Sequence, residues 1–99
     1  MESMEKRLLL AYGDAIASKG KNKGKLKAKC PAMGTDGAVM WQACMMYANP
    51  WKVSIFQMIM ASHGEDSFVK ACSDFAHARR DVLTILDRDR VALTKLGVW

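Results

Sequence analysis

The chain has 99 residues, a formal net charge of +5, 51% hydrophobic residues and 25% charged residues, which bound it to one small domain with a modest core. No apolar run approaches the ~20 residues of a membrane span, and the acidic opening Met1-Glu2-Ser3-Met4-Glu5 does not read as a signal peptide. Cys30, Cys44 and Cys72 are odd in number and widely spaced, which fits a reducing compartment. The expected setting is therefore intracellular, in cytosol, nucleus or chromatin, or inside a virion, and not secreted.

Glu2 to Ser18 reads as a helix, with Met4, Leu8, Ala11-Tyr12 and Ala15-Ile16 recurring at spacings of three and four along one apolar stripe. Glu2 and Glu5 lie in its first turn, where the helix dipole favours acids. Gly13 inside it costs about 1 kcal/mol relative to alanine. From Lys19 to Gly37 the chain reads as loop, beginning with KGKNKGKLKAK and ending in the turn residues of CPAMGTDG. Six of the fifteen basic residues fall in those eleven positions, with no acid among them. Such a run is expected to repel itself, stay extended and meet a polyanion; a solubilising linker is the bland alternative. GKNKGK imitates a phosphate loop but is one residue short of it and has Leu26 where Ser or Thr belongs, so that reading is rejected.

Asp36 is placed to cap a second helix over Ala38–Tyr47, apolar on nearly every side, which Asn49-Pro50 stops. Ser54 to Val82 is helical in pattern, either as one long helix or as two meeting at Gly64, where Glu65-Asp66 follow as cap candidates. Val82-Leu83-Thr84-Ile85 then has strand character. Asp87 is placed to cap a last helix, Arg88 to Leu96, closed by Gly97. The expected organisation is an N-terminal amphipathic helix with a lysine-rich loop over residues 1–36, and a helical domain over residues 37–99.

No arrangement of residues carries catalysis, so the chain is expected not to be an enzyme and to use no cofactor. His63, His77 and the three cysteines lack the close ligand pairs of a structural zinc site, and no metal is expected. Asp81, Asp87 and Asp89 have no calcium-loop glycine around them and are expected to pair with Arg79, Arg80, Arg88 and Arg90. The eight methionines read as core at helical spacing, with an adaptable groove as the alternative. Of Trp41, Trp51 and Trp99, Trp51 beside Lys52 is the best candidate to stack on bases, and Trp99 is a candidate to dock on a partner.

Taken in order, His77-Ala78-Arg79-Arg80, Thr84-Ile85 and Arg88-Asp89 resemble the second loop of the histone fold, as found in core and archaeal histones. The match covers residues 77 to 97, with looser agreement back to Ala38. Asp81-Val82 departs from the pattern as a two-residue insertion, and residues 1 to 36 are not a simple basic tail. The resemblance implies an all-α, histone-like fold with a short, a long and a short helix behind an extra N-terminal helix. It also implies a structural clamp between Arg80 and Asp89, and loops of two partner chains lying side by side to grip phosphates.

An all-round apolar helix in so short a chain points to an obligate homo- or heterodimer. The expected function is sequence-independent binding or packaging of duplex DNA, with RNA as a further possible polyanion and no membrane or small-molecule substrate. The contact residues would be Lys19, Lys21, Lys23, Lys25, Lys27, Lys29, Lys52, Arg79, Arg80, Thr84 and Arg88. The alternatives are an interaction subunit of a larger complex and a small nucleoprotein that coats viral RNA.

Overall fold

The side chain of Ser3 accepts a hydrogen bond from the Lys6 amide (3.2 Å) and so opens the first helix, α1, over Met4–Ala15. The computed structural model describes residues 3–64, 66–79 and 83–99. Four further helices follow among them: α2 over Asp36–Ala48, α3 over Val53–His63, α4 over Asp66–Ala78 and α5 over Asp87–Lys95. The described chain is thus all-helical apart from isolated extended pairings.

α2 is the centre of the molecule and packs against α1, α3 and α4. Its apolar surround explains this: Ala38, Val39, Met40, Trp41, Ala43 and Cys44 are all buried, and neither face is left to water over its first two turns. Over those two turns the helix is covered by its own neighbours. The Cα radius of gyration, 12.3 Å, is that of a well-packed domain of this length, for which about 13 Å is usual.

Two glycines let the helices come this close. A Cβ added at Gly37 would lie 2.7 Å from Asp14 Cβ, where α1 crosses the start of α2. One added at Gly13 would lie 2.7 Å from Val98 Cγ1 and 3.2 Å from Leu93 Cδ2, where α1 meets the C-terminal segment. The helix-weakening glycine of α1 thus marks close packing. Ala11, Tyr12, Ala15 and Ile16 join the same core as α2, α4 and Leu93 of α5, so the segment 1–36 and the segment 37–99 share one core.

Element ends differ from the sequence expectations for local reasons. α1 stops at Ala15 because Ile16 and Ala17 turn to pair with Lys25 and Leu26. The cap of α2 is Thr35, whose hydroxyl oxygen accepts the Ala38 amide at 3.2 Å, while Asp36 becomes the first helical residue and uses its carboxylate elsewhere. The cap position of α5 falls on Leu86, with Asp87 and Asp89 inside the first turn. Between them, Gly64 adopts a left-handed conformation (φ +71°) and donates to Met60 O at 3.0 Å, which ends α3. The segment therefore divides into α3 and α4, and no single long central helix is present among the described residues.

Candidate nucleic-acid interface

The lysine run is folded. Gly20 and Gly24 take positive φ, the Lys23 amide donates to Gly20 O (3.1 Å), and the chain reverses within Lys19–Gly24. It then runs extended. Ala17 N–H donates to Lys25 O and Lys27 N–H to Ala15 O, each at 2.9 Å, as Leu26 pairs antiparallel with Ile16. On the other side Lys25 pairs antiparallel with Thr84: Leu26 N–H donates to Leu83 O at 3.3 Å, and Ile85 N–H donates to Gly24 O.

Residues 24–27 are thus the middle segment of a three-segment ladder whose flanks are residues 15–17 and 83–85. The extended character of Leu83-Thr84-Ile85 has its partner inside the same chain. The resemblance implied that this loop pairs with a second chain's loop; here one edge of residues 83–85 is taken by the lysine strand, and Val82 lies outside the described residues.

Side chains alternate across this ladder. Leu26 is buried in the core, and the Trp41 indole N–H fixes the strand by donating to Lys27 O at 2.8 Å. Lys25 and Lys27 consequently project to the opposite face, and Thr84, directly across from Lys25, shares it. Lys19, Lys21, Lys23, Lys25 and Lys29 are exposed and Lys27 is half-buried. Successive lysines on the extended part stand roughly 6–7 Å apart, two residues of strand rise. The loop that carries Thr84 leads within four residues to Arg88, whose side chain is exposed. Two basic features distant in sequence are therefore joined by backbone hydrogen bonds.

The other expected contact residues fall elsewhere. Arg79 turns inward: its Nε and Nη2 donate to Asp89 Oδ2 and Oδ1 at 2.7 and 2.9 Å, and its guanidinium lies 3.4 Å over the Phe75 ring. Its donors serve the fold and are not offered to phosphate. Asp89 thus has both carboxylate oxygens engaged by Arg79, one residue before the Arg80 that the resemblance put there; Arg80 and Asp81 lie outside the described residues. Arg90 reaches Asp87 at 3.3 Å on the surface. Lys52 is exposed on a 3₁₀ turn, Pro50–Lys52, that leads from α2 into α3.

Sequence reasoning missed the two residues that hold the lysine strand in place, Leu26 and Trp41. The signal for Leu26 was there: one apolar residue between lysines at period two, after two turn glycines, is a half-buried strand. Trp99, partly buried, packs on the core of its own chain with its amide donating to Leu93 O at 3.3 Å.

Among the described residues no cluster of three or more His, Cys, Asp or Glu side chains could hold a metal ion, and no helix is long and apolar enough to cross a membrane. Comparison with protein-family models, curated proteins and solved structures gives no match.

Proposed function

We propose that this protein binds nucleic acid without sequence preference, holding backbone phosphates on the lysine turn Lys19–Lys29 and on the neighbouring loop from Thr84 to Arg88. The observation that carries this is the antiparallel pairing of Lys25 with Thr84. A free lysine run would lose much conformational entropy on meeting a phosphate chain; here Lys25 and Lys27 are already fixed on one face. Backbone contacts of this kind position a protein on nucleic acid and carry no sequence information.

A histone-type dimer that wraps duplex DNA is the finer version of the same proposal. The order of α2, α3–α4 and α5 favours it, while the division at Gly64 and the in-chain partner of Thr84 weigh against it. The weight accordingly rests on phosphate binding itself, in a setting where nucleic acid is stored, nucleus or virion.

The test is a salt titration. Replacing Lys19, Lys21, Lys23, Lys25, Lys27 and Lys29 with Gln is expected to lower affinity at low salt. The log–log salt slope should fall by up to ~0.9 per lost duplex contact, or ~0.7 on a single strand. Equal affinity of the parent and the six-fold variant across the titration, with unchanged circular dichroism, would remove the proposal.

A further inference from the structure

Trp51 is the residue that the fold leaves unexplained. It is 81% exposed, whereas Trp41 is buried and Trp99 packs against the core. An apolar ring of this size contributes to folding only when it leaves water, so its position outside has no rationale in stability. Nor is it loosely held. Pro50 fixes the start of the 3₁₀ turn, the Asn49 amide donates to Met45 O at 2.7 Å, and the Lys52 amide donates to Asn49 O at 2.9 Å. Among the described residues no ring contact or cation–π contact involves its indole. A rigid backbone therefore presents a bare aromatic face.

The surroundings narrow the ligand. From Asn49 to His63 the chain has no acid, and Lys52 stands exposed next to the ring. The exposed ring offers on the order of 200 Å² of aromatic surface. A standard protein interface takes about 800 Å² from each side. The patch is too small to hold a folded partner. It suits a ligand that brings flat aromatic faces together with negative charge.

We propose that Trp51 is a stacking platform for unpaired bases, with Lys52 on the adjoining phosphate, and that the nucleic acid this protein holds is single-stranded. This rests on the phosphate-binding function proposed above and specifies its partner. A duplex keeps its base faces stacked inside, so an indole gains nothing from it; an unpaired strand offers every base face, whatever its sequence.

The experiment uses the full chain, an unstructured oligouridine and a duplex DNA of similar charge, followed by anisotropy and by tryptophan emission. Oligouridine is expected to quench the emission of the exposed indole, and duplex to leave it nearly unchanged. Trp51→Ala is expected to weaken oligouridine binding roughly ten-fold or more with little change on duplex. Trp51→Phe should retain part of the single-strand affinity. Because the ring is exposed, neither change should disturb the far-ultraviolet spectrum.

Equal oligouridine affinity for the parent and Trp51→Ala, with salt-dependent binding intact, would overturn the stacking platform and leave the phosphate surface standing. Binding to neither polymer at low salt would overturn both. A self-association that Trp51→Ala abolishes, without any quenching by oligouridine, would also overturn it and assign the patch to a second copy of this chain.

Discussion

Phe68 and Phe75 lie one heptad apart on α4, and each carries an arginine on its ring. Arg7 of α1 sits 3.9 Å over Phe68 and forks Asp36 at 2.8 and 3.0 Å; Arg79 sits 3.4 Å over Phe75 and forks Asp89 at 2.7 and 2.9 Å. Both carboxylates lie in the first turn of a helix, where the dipole favours them. The chemistry is the same, yet the settings differ. The side chains of Arg7 and Asp36 are 28% and 34% exposed, those of Arg79 and Asp89 only 13% and 4%. His63 also approaches the outer pair, with Nε2 3.4 Å from Asp36 Oδ1. Water can take over from either partner in the outer clamp. In the inner one a lost partner leaves a buried charge, and for Asp89 the remaining cation is the exposed Arg88, whose Nε lies 3.9 Å from Asp89 Oδ1. Burial, and not pairing geometry, sets what each clamp is worth.

The largest effect should therefore come from Asp89→Ala or Arg79→Met, each expected to destabilise the fold by about 3–5 kcal/mol. Urea unfolding measures this, and Arg79→Lys should not restore it, because an ammonium lacks the planar fork and stacks poorly. Arg7→Met or Asp36→Ala should cost about 1–2 kcal/mol in the same assay. Equal losses at the two clamps would break the burial argument. Replacing the inner pair together, Arg79→Met with Asp89→Leu, should recover most of the loss, since neither charge is then stranded.

A smaller effect concerns the thiols beside the clamps. Burial pushes the Cys44 thiol up from 9.0 to about 12, against the downward pull of Arg79. Burial likewise raises Cys72, and the charge of Asp36 raises it further. A raised thiol keeps its proton in the folded state while the unfolded chain gives it up. The stabilisation is thus complete below pH 9 and is lost as the pH rises towards 12. Urea unfolding at pH 8 and pH 10 should show that decline, and Cys44→Ala should reduce it. The smallest shift is in Cys72 itself: Asp36→Asn should lower its titration point and speed its alkylation at alkaline pH.

Local features of the fold were legible in the sequence. The apolar surround of Ala38–Tyr47 gave a buried helix, Asn49-Pro50 gave its end, and Gly64 was visible as a place to divide the following segment. Each depends on neighbours a few residues away. Arg7 and Asp36 are far apart in sequence, and no periodicity announces their meeting. The choice of Arg79 as the partner of Asp89 depends on where α4 ends relative to α5, which a string of adjacent basic residues does not encode. In the candidate site, the charge of Lys19–Lys29 was evident. Its pairing with Thr84 was not, because strand character at residues 82–85 announces a need for a partner without saying which backbone fills it.

The ladder built on residues 24–27 has a kinetic consequence. Its bonds from Leu26 to Leu83 and from Ile85 to Gly24 join segments near opposite ends of the chain, whereas the packing of α2 on α3 connects near neighbours. Closing long loops is the slow part of folding a small domain. The helices should therefore condense first, with residues 83–85 zipping onto the lysine strand afterwards. Read in reverse, the amides of Leu26 and Ile85 should exchange with solvent through a partial opening of lower free energy than that which releases the α2 amides. Native-state hydrogen exchange should show that gap narrowing when a polyanion is bound, because ligation would hold shut the part of the molecule that opens first.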